Sequence, residues 1–259
     1  MPSVFLSHGT PMLAVEWGPV SAFWRHYGTE LGRPRAILVI SAHWQSSNLC
    51  ITTANAPATL ADFYGFPPEL YTLRYAAPGA PELVARITDL LTQAPLAINI
   101  KQDGERGLDH GAWVPLWHLY PTADIPVAQI SLPHGWGPQH LFSLGQALQP
   151  LRDEGVLILA SGGATHNLRA LGEHNPDGGP PTWAHAFTQW LAEGLAEGRI
   201  TDLLDYRQKA PYAVRNHPTE EHLLPLFVAL GAATPGRIVR REFAGYLYGA
   251  LAMDTYTFG

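Results

Sequence analysis

Three apolar runs in this chain end in a histidine: Val4-Phe5-Leu6-Ser7-His8, the run from Ile37 to His43 (ILVISAH) and the run from Val156 to His166 (VLILASGGATH). Apolar runs closed by Gly, Pro or polar turns have the pattern of strands buried on both faces of a parallel sheet. Strand-like runs recur near residues 3–7, 36–42, 49–53, 70–76, 96–100, 125–131, 155–160 and 237–241. Between several of them the apolar period lengthens to that of a helix. Residues 81–93 set Leu83, Val84, Ile87, Leu90 and Leu91 on one face behind Pro81, a residue suited to a first helical turn. Residues 137–150 do the same with Leu141, Leu144 and Leu148, and residues 181–197 with Trp183, Phe187, Trp190, Leu191 and Leu195. A further helix is expected over 219–230, capped by Thr219 and kinked at Pro225. This alternation predicts an α/β fold: a single domain over residues 1–259 with a central, mainly parallel sheet flanked by helices. Proline-rich connections at 56–69 and 174–181 are expected to be long surface loops of the kind that frame a site.

Ligands of open α/β sheets bind in the crevice beyond the carboxyl ends of the strands. If the three histidine-ended runs are neighbours, three imidazoles converge on one crevice, which is the requirement of a metal ion. Each histidine also has a plainer reading. His8 is followed by Gly9-Thr10-Pro11, and a histidine capping a turn would look the same. His43 repeats the placement before Trp44, and independent packing has no reason to end two core strands this way. His166 follows Ser161-Gly162-Gly163-Ala164-Thr165, small residues that permit close backbone approach to a bound group.

Nine further histidines complete the twelve. His26, His118, His140, His174 and His185 lie in amphipathic helices or polar loops, where surface or half-buried side chains are expected. His134, in Leu-Pro-His-Gly-Trp, could line a pocket. Two readings stay open for His110 in Gly107-Leu108-Asp109-His110-Gly111-Ala112-Trp113. Asp109 either caps a helix with His110 incidental, or orients a functional imidazole. His217 and His222 are five apart and do not share a helical face, while Glu220 and Glu221 would complement a helix N-terminus.

Composition narrows the chemistry. The chain is 46% hydrophobic and 15% charged, an ordinary soluble composition. A net charge of −6 without a Lys/Arg cluster argues against nucleic acid as a partner. Cys50 is the only cysteine, so an intramolecular disulfide and a thiolate metal cluster are both excluded. Any metal must be held by nitrogen and oxygen. Residues 1–12 lack a secretory pattern and no apolar stretch approaches the ~20 residues of a membrane span, so a cytoplasmic location without membrane attachment is expected. No feature of the chain bears on its oligomeric state.

Five motifs in order, HGTP at 8–11, SAHW at 41–44, LDHGAW at 108–113, GGATHNL at 162–168 and HPTEEHLLPL at 217–226, resemble the class III extradiol ring-cleaving dioxygenases, in the branch similar to DOPA 4,5-dioxygenase. Tyr248-Gly249 and Met253-Asp254 also fit that branch. The resemblance implies an oxidoreductase that opens a DOPA-like catechol beside its two hydroxyls, with dioxygen as second substrate. It implies one mononuclear divalent metal, Fe(II) first and Zn(II) as the alternative. By the same resemblance His8 and His43 are metal ligands and the third ligand falls in HPTEEHLLPL. Better-known relatives place a glutamate there, and the position corresponds to His222 here, with Glu221 or His217 as substitutes. His166 resembles the acid–base histidine, and His110 one that contacts substrate or bound oxygen. The rival expectation is a zinc-dependent hydrolase or amidase that uses the same histidines to activate water. A metal-binding protein without catalysis would have no use for His110 and His166.

Overall fold

In the computed structural model, which describes residues 1–94, 98–175, 178–236 and 239–259, the histidine-ended runs form the middle of an eight-stranded sheet. Its strands are β1 (Ser3–Ser7), β2 (Ala36–Ser46), β3 (Cys50–Thr52), β4 (Lys101–Asp103), β5 (Val127–Pro133), β6 (Val156–Gly162) and β7 (Val239–Phe243). After a separate two-stranded pair, β8 (Tyr246–Leu247) and β9 (Leu251–Ala252), the chain adds β10 (Thr255–Phe258) to the main sheet. The spatial order is β4-β3-β5-β2-β6-β1-β10-β7. The central β5, β2, β6 and β1 run parallel, β10 lies antiparallel between β1 and β7, and β3 is antiparallel to β5.

The central strands β1, β2, β5 and β6 are mainly apolar because both faces are covered, and successive side chains point to opposite faces. Phe5, Leu38, Ile40 and Ile158 pack on one side with α2 (Pro81–Gln93), α4 (Pro138–Leu148), α6 (Thr182–Ala196) and α10 (Leu224–Gly231). Val4, Leu6, Ile37, Val39, Leu157 and Leu159 pack on the other with α1 (Pro19–Leu31) and α3 (His110–Leu119). Short helices α5 (Pro150–Asp153), α7 (Ile200–Leu204), α8 (Tyr206–Lys209) and α9 (Ala213–Asn216) fill the connections. Among the described residues no helix is long and apolar enough to cross a membrane.

Three expected elements are corrected. Residues 70–76 are no strand: Pro68–Thr72 is a 3₁₀ turn, initiated by the pair Pro67-Pro68, although Leu70 and Tyr75 are buried. The helix expected over 219–230 starts at Leu224, so Thr219 is not its cap. Pro225 sits in the first turn instead of kinking the helix, because a proline ring clashes with the carbonyl four residues earlier. Of the expected strand 96–100, residues 96–97 lie outside the described residues and 98–100 form no strand, pairing starting at Lys101 in β4; residues 237–238 of 237–241 also lie outside them. α1 and β10 went unpredicted, the latter because Thr255-Tyr256-Thr257-Phe258 is short and alternates polar with aromatic positions.

α4 and α10 meet through glycine: a Cβ on Gly231 would be driven into the Phe142 carbonyl, and one on Gly145 into the Val228 carbonyl. Backbone cannot yield there as a flexible side chain would. Gly231→Ala gains at most about 1 kcal/mol of helix propensity, against overpacking that costs about 1–3 kcal/mol. The expected net result is a lower urea midpoint; a raised midpoint would show that the two helices separate freely.

Candidate metal centre

β2, β6 and β1 are adjacent and parallel, so their carboxyl ends open onto one crevice. His8 follows β1 directly, and its backbone N–H donates to the Gly162 carbonyl at the end of β6 (2.9 Å). Gly9 then turns the chain at φ +67°, a left-handed conformation that favours glycine. His43 lies within β2, in the stretch between Ile40 and Gln45 where the register with β5 shifts. Such an irregularity re-aims side chains, and here it carries His43 toward His8. His222 comes from the turn before α10, pinned by its carbonyl accepting the Gly163 N–H (2.8 Å).

One ring nitrogen from each of His8, His43 and His222 falls within 4.8 Å of the others. Hydrogen bonds behind the rings decide which nitrogen faces forward. Ser161 Oγ donates to the Gly111 carbonyl, so toward His8 Nδ1 (3.0 Å) it can only accept. Glu221 Oε1 accepts from His222 Nδ1 (2.9 Å). Both rings therefore hold their proton on Nδ1 and present the Nε2 lone pair. His43 Nε2 stands 2.9 Å from His8 Nε2, with its Nδ1 4.0 Å from Asp62 Oδ2. Nitrogens bound to one ion at about 2.0–2.1 Å each are about 3 Å apart when the bond angle is near a right angle. The donor set fits a borderline divalent cation such as iron(II) or zinc(II).

Burial keeps these rings neutral, the form that ligates. It pushes His8 and His222 well below the ordinary imidazole value, assisted by the neighbouring histidines. His43 is lowered to about 3 by burial and then by His110.

His166 and His110 flank the triad. His166 stacks face to face on His222, ring centroids 3.3 Å apart, and burial lowers it to about 4, so it is neutral and able to accept a proton. His110 is the first residue of α3 and packs 3.9 Å from His43 between centroids. Each reading of its motif holds in half: Asp109 caps α3 through the Ala112 N–H, yet His110 is not incidental and borders the crevice. Asp109 does not orient the His110 ring. Its carboxylate accepts from Ser41 Oγ (2.6 Å) and from Gln129 Nε2, and it is fully buried. Burial raises its pKa despite those bonds.

The ring of His110 is held by Asp62, which the sequence reading missed. Asp62 Oδ1 accepts both the His110 backbone N–H (2.9 Å) and Nδ1–H (3.0 Å). The one available signal was the proline-rich loop at 56–69, expected to frame a site. Burial alone would raise the Asp62 carboxyl, but its bonds to His110 outweigh that and hold it low.

His217 is not part of the cluster. It is buried beside Phe187 and Tyr206, and its Nε2–H donates to the Ala164 carbonyl (3.0 Å). His118, expected near the surface, is buried and bonded to the Leu13 carbonyl. His134 lines a surface groove with Gln45, Trp136 and Glu221. Gly111 shows how tightly the site is built: a Cβ there would press on Ser41 Oγ, on His43 (3.1 Å) and on His8 (3.2 Å).

The family described as the catalytic LigB subunit of aromatic ring-opening dioxygenase matches residues 2–258. The chain belongs to this family. It is thus an extradiol-type, ring-opening oxidoreductase, as its five motifs imply. Curated members similar to it are the 4,5-DOPA dioxygenase extradiol of Beta vulgaris, 42% identical over 98% of this chain and 95% of that protein, and that of Escherichia coli K12, 37% identical over 100% and 95%. A crystal structure of an uncharacterized Escherichia coli K12 protein matches this fold at a TM-score of 0.84, with 35% identity and 100% of both chains covered. The LigB-family fold and its mainly parallel sheet are therefore shared along the whole chain.

Buried neutral histidines make the fold acid-sensitive. His217 is lowered to about 3, mainly by burial. Its contribution is complete above the unfolded value of about 6.5 and is lost as pH falls toward the folded value, since the unfolded chain takes up the proton first. At pH 5 the expected cost is about 2 kcal/mol from this residue. Urea unfolding of wild type should therefore lose more stability between pH 7 and 5 than His217→Gln. Equal losses would refute the assignment.

Proposed function

We propose that residues 1–259 form one catalytic domain in which His8, His43 and His222 hold a single divalent metal, iron(II), to cleave a DOPA-like catechol with dioxygen. The convergence of three Nε2 lone pairs at the carboxyl ends of β1 and β2 and the start of α10 carries this reading. The DOPA-like substrate follows the names of the relatives, and the aromatic faces around the crevice suit a catechol ring.

A bound iron(II) would supply positive charge that lowers the pKa of catechol hydroxyls and the redox capacity that dioxygen chemistry needs. The protein supplies the proton handling and the positioning. Neutral His166 accepts the remaining hydroxyl proton at a ring nitrogen and returns it as the product forms. His110 contacts the substrate oxygens from the opposite side of the triad. Phe63 packs edge-on against His110 with ring centroids 5.7 Å apart.

The test is anaerobic reconstitution with iron(II) followed by a catechol panel. Oxygen uptake equal to catechol consumed, with a yellow ring-opened product, is expected; zinc-supported hydrolysis without oxygen uptake would overturn it. Two variants separate the roles. His222→Ala should weaken metal affinity at least ~10-fold, whereas His166→Ala should keep its metal and lose ~10²–10⁴ in rate. Unchanged metal content in His222→Ala would transfer the third position to Glu221, and joint loss of metal and activity in His166→Ala would make that residue a ligand.

A further inference from the structure

The Asp62 carboxylate reaches the histidine cluster through His110. It lies in the loop between β3 and α2, next to exposed Tyr64, and its side chain is 22% exposed. The loop is fixed on both sides of it. The Leu60 carbonyl accepts the Trp113 indole N–H (2.9 Å), and Phe63 packs on His110 and Trp113. Asp62 Oδ1 then takes two hydrogen bonds from one residue, the backbone N–H and the ring Nδ1–H of His110. The backbone bond fixes where Asp62 stands, and the ring bond fixes what His110 presents.

A neutral imidazole carries one N–H and one lone pair. A carboxylate can only accept, so the proton stays on Nδ1 and Nε2 is left as an acceptor facing the crevice. Without such a partner a histidine ring in water favours the other tautomer, with the proton on Nε2. That form would offer a substrate hydroxyl a donor instead of an acceptor. We propose that Asp62 is a positioning residue for ring cleavage, which locks His110 in the Nδ1–H tautomer so that Nε2 accepts the hydrogen bond of a catechol hydroxyl.

The inference rests on the ring-cleavage reading for its kinetic consequence, but its structural half does not. Oxygen uptake by wild type tests the former. The His110 tautomer, read from ¹H–¹⁵N two-bond correlations in zinc-loaded protein labelled at histidine, tests the latter without turnover. His110→Ala assigns the signal. In wild type the His110 proton is expected on Nδ1, and in Asp62→Ala on Nε2. Asp62→Asn keeps an Oδ1 that accepts from both the backbone N–H and Nδ1–H, so the loop and the Nδ1–H tautomer should both be retained.

In the iron-loaded enzymes kcat should fall at least ~10-fold in Asp62→Ala, within the range of a lost acid–base contact, with KM within two-fold and metal content unchanged. The double variant Asp62→Ala/His110→Ala should be no slower than His110→Ala, because Asp62 acts through that ring. Additive losses would give Asp62 a role of its own and overturn the proposal. An Nδ1–H tautomer surviving in Asp62→Ala would overturn it equally, whatever the kinetics.

Discussion

The organisation of the site follows from one constraint: imidazole nitrogens with lone pairs forward are forced together at the end of a buried parallel sheet. His8 Nε2 and His43 Nε2 stand 2.9 Å apart, and the groups behind His8 and His222 fix the protons on their Nδ1 atoms. Lone pairs facing one another in a buried place are unfavourable unless a cation or proton lies between them. Burial and mutual repulsion make the proton the poorer occupant, since they hold the rings well below their ordinary pKa. A divalent metal resolves the conflict, and family membership supplies a chemistry that uses one.

The supporting structure reads as a set of devices for keeping those rings in place. Ser161 bridges His8 to the Gly111 carbonyl, so the first turn of α3 and the tip of β6 are tied through one hydroxyl. Gly162 and Gly163 let the chain at His222 approach the end of β6, where a Cβ on Gly162 would meet the His222 carbonyl. Asp109, buried under α3, ties Ser41 and Gln129 together beneath the site and accepts from Arg106 at 3.4 Å. Small residues and buried polar bonds are what a rigid ligand set requires.

Much of this was legible in the sequence, for identifiable reasons. The runs ending in His8 and His43 are strands because their residues are apolar on both faces, whereas the sheet order that sets β6 between β1 and β2 was a condition the sequence left open. His222 was found through its motif and not through local structure, since the helix expected to carry it begins two residues later. Asp62 was missed because nothing local marks it. It lies in an irregular loop, its partner is forty-eight residues away at the start of α3, and a carboxylate beside Phe63 and Tyr64 looks like any surface residue. His118 and His217 failed the other way: both are buried, and each bonds through Nε2 to a backbone carbonyl that no sequence pattern announces.

The choice between three imidazoles and a mixed set is the sharpest form of the account. Among the described residues two alternative groupings also lie close enough to bind an ion, His43 with Asp62 and His110, and His166 with Glu221 and His222, and each includes a carboxylate. X-ray absorption of the zinc-loaded protein distinguishes them. The account predicts a first shell with three imidazoles at about 2.0–2.1 Å, and outer-shell scattering that scales with three rings. A shell fitted by two imidazoles and a carboxylate oxygen would contradict it and move the metal to the Asp62 or Glu221 side of the crevice.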